Sequence, residues 1–322
     1  MTTIPFVGKA LYPGFILLFL SLAFSLSYTS DAFAEASSGP TSTLSTKSDN
    51  VISAPIATTN PFSNPTTTAP SSRDTFIFQP YKPMYAIVAY DRSLGNGNNT
   101  YQDWELQFQL SLKMPVMTVP WQAGILALAY TQVSFWQAFN GNQSSPFRET
   151  NYAPEIMMTF DPEPHFLDVK KMHVVMSVIH QSNGEGGQDS RSWNRVYGEI
   201  DLAWDHLTLG LKPWYRIPER SKSSPSDARG DDNPDIERYM GYGELTAGYN
   251  ADWWALLVTI RNNLRASPNN GSTQIELTIP MKNDVSFYVQ VFDGYGLSLI
   301  DYNRYSRRVG AGFVITRLPM LW

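Results

Sequence analysis

Apolar and polar residues alternate with a period of two through most of this chain. Three clear examples are WELQFQLSL (104–112), TQIELTI (273–279) and VSFYVQV (285–291). Strict alternation over this length predicts half-buried β-strands rather than helices. The same pattern predicts about twelve strands, at 82–91, 102–113, 123–136, 151–160, 171–182, 193–204, 206–216, 237–249, 253–263, 271–281, 284–293 and 307–317.

The lengths and ends of these segments indicate a membrane setting. Strands of roughly ten residues suit a tilted crossing of a bilayer, and short links alternate with long polar loops. Aromatic residues cluster at segment ends, as in the girdles of outer-membrane barrels, and a further Trp ends the chain: Trp193, Trp204, Trp214, Tyr215, Trp253, Trp254 and Trp322. The prediction is an all-β fold, a transmembrane antiparallel β-barrel of about 12 strands.

A soluble β-sandwich would show the same alternation. Two features favour the barrel: a predicted signal peptide, which exports the chain to where such barrels occur, and charged residues at strand centres on the polar face, which suit a barrel lumen. These charged residues are Glu105, Glu199, Asp201, Glu244, Arg261 and Glu276.

The N-terminal region predicts export and divides the chain into three parts. Residues 1–34 combine Lys9, an apolar core and an Ala-Phe-Ala site, and predict a cleaved signal peptide; an uncleaved membrane anchor is the alternative. Residues 35–76, rich in Ser, Thr and Pro, predict a disordered linker. Residues 77–322 form the predicted barrel domain. The net charge of −5 indicates no nucleic-acid partner.

Polar residues end the apolar stripe of one predicted hairpin, at 171–204. Met172, Val174, Met176 and Val178 share a face that continues into His180 and Ser182. On the next strand Asn194 lies on the apolar face. A symmetric loop places His180 opposite Asn194, with Cβ atoms about 5 Å apart. Ser182 follows two positions on, about 6.5–7 Å away along the strand.

These three side chains have the chemistry of a nucleophilic triad. His180 could accept the Ser182 hydroxyl proton on one ring nitrogen and donate to Asn194 from the other. Asn is a suitable third member, because its carbonyl oxygen fixes the imidazole without adding a charge. The alternative is a His and a Ser at a loop rim, hydrogen-bonded to water.

Several blocks of the sequence resemble outer-membrane phospholipase A. They cover the chain from about Lys82 to its end, in order and at the family's spacing: HQSNG (180–184), SRSWNR (190–195), YTQVSFWQ (130–137), SSPFRETNYAPE (144–155), KPWYR (212–216), DDNPDIERYMGY (231–242) and GYGLSLIDYN (294–303).

The resemblance implies a calcium-dependent phospholipase A1/A2 and lysophospholipase of the bacterial outer membrane, active as a homodimer. It implies that Ser182 is the nucleophile, His180 the general base and Asn194 the residue that orients the imidazole. It also implies a set of Ca²⁺-associated positions and one interface residue: Ser190, the carbonyl of Glu185, Asp232, Ser144 from the second subunit, and Gln132 at the dimer interface.

Two positions depart from the family pattern. Glu185 stands where a basic residue is usual, which matters little if only its carbonyl binds the metal. Gly187 stands where a second acidic contact is expected, which weakens the calcium site of a single subunit more than that of a dimer.

Two other functions fit the same sequence. One is a structural or transport barrel with a vestigial site, which a wide polar lumen would favour. The other is a deacylase or acyltransferase for another outer-leaflet lipid, which uses the same acyl-enzyme chemistry and differs only in substrate.

Overall fold

The computed structural model describes residues 78–95, 100–120, 124–224, 227, 229–282 and 284–315. The predicted signal peptide, the predicted linker and the terminal Trp322 lie outside these residues. The strands are β1 (Gln79–Pro80), β2 (Tyr85–Asp91), β3 (Trp104–Val119), β4 (Gly124–Trp136), β5 (Phe147–Phe160), β6 (Lys171–Ser182), β7 (Ser192–Ala203), β8 (Leu207–Arg216), β9 (Gly243–Asn250), β10 (Ala255–Asn262), β11 (Gly271–Pro280), β12 (Ser286–Gly294) and β13 (Ser306–Val314).

Twelve antiparallel strands, β2 to β13, close into a barrel. Each strand pairs with its neighbours in the sequence, and β2 pairs with both β3 and β13, which completes the ring. The two-residue β1 adds to β3 near Lys113. Closure leaves the barrel without free strand edges, and it confirms the predicted fold.

Three strand boundaries differ from the prediction by four or more residues. Strand β9 begins at Gly243 rather than 237, because Glu237–Met240 forms the short helix α2; the other short helix, α1, is Arg92–Gly95. Strand β5 begins earlier than predicted, at Phe147. Strand β3 continues to Val119 through a register shift at Pro115, a residue with no backbone N–H to donate.

The alternation of the sequence separates the lumen from the outer wall. Glu105 is fully buried between the half-exposed Trp104 and the partly buried Leu106 of β3. Exposed apolar side chains surround the barrel, which suits a lipid-facing surface. They include Leu110, Leu128, Met176, Ile200, Leu211, Leu245, Ile260, Val291, Val309 and Phe313.

Paired charges fill the lumen. Glu105 accepts from Arg148 at 3.0 Å and from Arg308 at 2.5 Å, and Lys212 lies 3.2 Å from Glu199. Pairing of this kind offsets the cost of removing the charges from water. A lumen filled by paired side chains favours a closed barrel over a conducting pore.

Most of the long connections lie at one end of the barrel, here called the loop end; the ten-residue connection 161–170 lies at the other. The loop end carries the links 183–191, 217–242, 263–270 and 295–305, whereas the opposite turn end includes the short links 204–206 and 251–254. No helix in the described ranges is both long and apolar enough to cross a membrane.

Candidate active site

The register of β6 and β7 brings the predicted residues together on the outer wall at the loop end. His180 pairs with Asn194, and Ser182 pairs with Ser192, as the symmetric hairpin predicts. The intervening Gln181 points into the lumen, where its carbonyl oxygen accepts from Trp193 and Arg195 at 2.9 Å. The parity of the strand therefore turns His180 and Ser182 outward, towards the lipid.

The His180 ring is oriented by a hydrogen bond. Its Nδ1 lies 2.8 Å from Oδ1 of Asn194. Since the carbonyl oxygen of Asn194 can only accept, His180 donates from Nδ1, and this leaves Nε2 with a free lone pair. A lone pair on Nε2 is what a general base requires.

Ser182 is partly buried at the end of β6. Its Cα lies two residues from that of His180, a separation of about 6.5–7 Å along a strand. Within the described ranges its hydroxyl makes no hydrogen bond to His180. The structure therefore shows the predicted pairing of His180 with Asn194 but not the predicted contact of His180 with Ser182.

A buried asparagine organises the connection that follows the serine. Oδ1 of Asn183 accepts from the backbone N–H of Arg191 at 2.9 Å and of Glu185 at 3.3 Å. Its Nδ2 donates to the carbonyl of Asp189 at 2.8 Å. These hydrogen bonds join the two ends of the loop 183–191 and hold the loop beside Ser182.

Oxygen atoms converge next to this loop. Oδ2 of Asp232 accepts from Ser190 at 2.8 Å and from Ser192 at 3.1 Å. The other oxygen, Oδ1, pairs with the ammonium of Lys222. Hydroxyl, carboxylate and carbonyl oxygens are the ligands that Ca²⁺ prefers, so this donor set fits the ion. Among the described residues, no three His, Cys, Asp or Glu side chains group as a metal cluster.

The end of β8 holds Asp232 in place. Nη2 of Arg216 donates to Asp231 at 2.5 Å, and Nη1 donates to the carbonyl of Pro234 at 3.3 Å. The backbone N–H of Asn233 donates to Oδ1 of Asp231 at 3.0 Å. The turn 231–234 is thus anchored to the barrel wall, and Asp232 faces the serines.

Two of the predicted calcium positions lie on exposed connections. Glu185 is exposed within the loop 183–191. Ser144 belongs to the link between β4 and β5, where it follows a 3-10 turn, Gly141–Gln143, in a left-handed conformation (φ 58°). Its side chain is exposed, and it lies on a different connection from Ser190 and Asp232.

Gln132 lies on the outer wall in the same row as the candidate nucleophile. It pairs with Tyr152 of β5, which in turn pairs with Ser182 of β6. Its side chain accepts from Tyr130 at 3.0 Å and donates to Ser134 at 3.0 Å. The amide therefore sits two strands from the site, within an apolar face.

Three residues that the sequence did not indicate contact the site in the structure. Lys222 and Ser192 contact Asp232, and Nδ2 of Asn194 donates to Oε1 of Glu219 at 3.2 Å. Burial and the nearby Asp231 carboxylate raise the pKa of Glu219 above its ordinary value. Arg216 and the hydrogen bond from Asn194 offset only part of this rise. No strand period could have indicated Glu219, because it lies beyond the end of β8 at Arg216.

Known proteins resemble this chain over most of its length. A family model described as phospholipase A1 matches residues 64–315. Phospholipase A1 of Escherichia coli K12 is 34% identical over 255 residues, covering 76% of this chain and 83% of the relative. That of Klebsiella pneumoniae is 32% identical over 251 residues, covering 76% and 84%.

Solved structures show the same likeness. Outer membrane phospholipase A from Escherichia coli aligns with a TM-score of 0.69 and 33% identity, covering 77% of this chain and 95% of that one. The Salmonella typhi outer membrane phospholipase dimer with bound calcium aligns with a TM-score of 0.67 and 34% identity, covering 76% and 93%.

Proposed function

Since this chain belongs to the phospholipase A1 family and is an enzyme of the outer membrane, we propose that it hydrolyses phospholipid acyl esters through Ser182, His180 and Asn194. The observation that carries the proposal is the 2.8 Å contact between His180 and Asn194, in line with Ser182 on the lipid-facing wall. Substrate then reaches the site laterally, from the membrane.

The proposed reaction follows from the orientation of His180. Oγ of Ser182 attacks the ester carbonyl carbon while Nε2 of His180 takes the hydroxyl proton. Collapse of the tetrahedral intermediate breaks the ester bond, and His180 returns the proton to the departing lysophospholipid alkoxide. Water, deprotonated by the same nitrogen, then releases the fatty acid from Ser182. The same groups act on either ester and on a lysophospholipid.

Ca²⁺ is the cofactor that we propose for this site. Ser190, Asp232 and the carbonyl of Glu185 would hold it in one subunit, with Ser144 of a second copy completing the set. Held by these residues, the ion would supply positive charge that stabilises negative charge developing on the ester oxygen. The backbone N–H of Ser182 is the second proposed donor to that oxygen. A single carboxylate with hydroxyl oxygens makes a weak site alone, which favours a shared one.

The Lys222 ammonium occupies Asp232 in the absence of the ion, and it therefore competes with calcium. We expect Lys222→Met to lower the calcium concentration for half-saturation about fivefold, as for the loss of a partly exposed ion pair of ~1 kcal/mol. Isothermal titration calorimetry of the refolded protein measures this. Lys282→Met, which removes the same charge at the turn end, serves as the control. Unchanged or weaker calcium binding by Lys222→Met would contradict the competition.

The outer face around Gln132 is the proposed dimer surface. Exposed apolar side chains of β3 and β4, such as Leu110 and Leu128, surround this amide. Hydrogen bonding across such an interface contributes about 1–2 kcal/mol, so Gln132→Leu should raise the dimer dissociation constant roughly tenfold. Sedimentation equilibrium in detergent with calcium tests this, with Leu211→Ala on β8 as control. Equal dissociation constants for Gln132→Leu and the wild type would place the dimer surface elsewhere.

The proposal requires fatty-acid release from phospholipid micelles that depends on calcium. The buried pairs of Glu105 with Arg148 and Arg308 weigh against a transport barrel, because these side chains fill part of the interior. A deacylase or acyltransferase would use the same site, and supplying other lipids in the same assay separates these activities.

A further inference from the structure

We propose that Glu219 is a positioning residue of this site: its carboxylate holds the Asn194 carboxamide in the one orientation that keeps the His180 proton on Nδ1. The inference rests on the proposed roles of His180 and Ser182, and it adds a fourth member to their hydrogen-bonded chain.

Both ends of the Asn194 side chain have partners. Oδ1 lies 2.8 Å from Nδ1 of His180, and Nδ2 donates to Oε1 of Glu219 at 3.2 Å. The backbone adds a third tie, because the N–H of Ile217 donates to the carbonyl of Asn194 at 2.8 Å. Asn194 is therefore fixed from β6 on one side and from the continuation of β8 on the other.

Glu219 places a carboxylate at a half-buried position on the lipid-facing side of the barrel. It lies two residues beyond Ile217, on the outward-facing side of β8 that carries Leu211 and Tyr215, and it is half-buried. A charge at the end of an apolar stripe is costly unless it is paired. The Asn194 amide is the side-chain donor that pairs with it.

The direction of the Asn194 amide decides the state of the imidazole. A carboxamide presents an acceptor at one end and donors at the other, and a half-turn exchanges them. With the ends exchanged, Nδ2 would donate to Nδ1 of His180, which would then carry no proton. The proton would move to Nε2, and the ring could no longer accept the Ser182 proton.

Glu219 prevents this exchange because an ionised carboxylate only accepts hydrogen bonds. The exchanged amide would bring its own oxygen against the oxygen of Glu219, and the two would repel. An aspartate in the third position of a triad would present an acceptor oxygen to the imidazole in either orientation. An asparagine does so in only one orientation, so another group must select that orientation. The acidic residue at 219 supplies the direction that asparagine lacks.

Enzyme kinetics on two Glu219 variants test the inference. Glu219→Leu removes the acceptor and should lower kcat about 10- to 100-fold, the usual effect of losing an orienting partner, with KM little changed. Glu219→Gln keeps an acceptor oxygen and should retain most of kcat. Arg220→Gln, in the next residue, removes exposed contacts to Asp227 and to the carbonyl of Ser221, and it controls for disturbance of the connection.

A double variant separates positioning from a purely structural role. In Asn194→Asp, a carboxylate faces Glu219 and the two charges oppose each other. Glu219→Gln then replaces repulsion with an amide donor, so it should raise kcat in this background, whereas in the wild type it should leave most of kcat in place. A structural role predicts a loss in both backgrounds, and that result would overturn the proposal.

Nitrogen NMR of the imidazoles gives a readout that does not need turnover. The chain has four histidines, so ¹⁵N-histidine labelling in detergent micelles, with His180→Gln for assignment, isolates the His180 ring. We expect the Nδ1–H form in the wild type and a shift towards Nε2–H in Glu219→Leu. An Nδ1–H ring in both overturns the role of Glu219. Absence of hydrolysis by the wild type would instead count against the proposed function, and the NMR result would still decide the positioning.

Discussion

Ser182→Ala loses fatty-acid release by about 10⁴-fold or more, with the barrel intact. Removing the nucleophile of a catalytic triad leaves only the residual stabilisation of the oxyanion and of binding. Ser182 lies at the end of β6 on the outer wall, so its hydroxyl supports no lumen contact and the loss is chemical rather than structural. Release from phospholipid micelles at saturating calcium measures the effect, and near-wild-type release by the variant would exclude Ser182 as nucleophile.

Ser192→Ala is the matched control, because Ser192 is the cross-strand neighbour of Ser182. Its hydroxyl donates to Asp232 at 3.1 Å. Its loss should weaken the calcium site, so raised calcium should restore the activity of this variant. Calcium should not restore Ser182→Ala at any concentration. Restoration of activity by raised calcium therefore distinguishes Ser192 from Ser182, in addition to the size of the loss of activity.

Asp232→Asn raises the calcium concentration needed for half-maximal activity by about 10- to 100-fold. Asp232 is the carboxylate on which Ser190, Ser192 and Lys222 converge, and the amide carries no charge to attract the ion. A calcium titration of activity, together with calorimetry, measures the shift. Asp227→Asn makes the same change in the same connection, where the carboxylate serves Arg220 and Ser223, and it should leave the calcium requirement unchanged. Equal requirements for Asp232→Asn and the wild type would remove Asp232 from the calcium site.

The architecture could be predicted from the sequence because a barrel in lipid repeats one simple rule. Lipid outside and polar side chains inside impose a period of two on every strand, and Glu105 and Glu276 mark the lumen face from sequence alone. Boundaries are less predictable, because they depend on local contacts. The segment 237–242 alternates well enough to be taken for part of β9, yet Glu237–Met240 turns into a helix.

The core of the candidate site was also predictable, for a related reason. A hairpin with a symmetric loop fixes its own register, so the pairing of His180 with Asn194 follows from counting. Glu219 and Lys222 could not be found this way. They lie beyond β8 on a connection whose path depends on Arg216 holding Asp231 and Pro234, and no period describes such a path.

The most direct test of the account is fatty-acid release from phospholipid micelles by the refolded wild-type chain, with calcium and then with a chelator. The account predicts release in calcium, its loss on chelation and its return when calcium is restored. A correctly folded barrel that releases no fatty acid at any calcium concentration would contradict it, and conductance across a bilayer would then be the activity to measure.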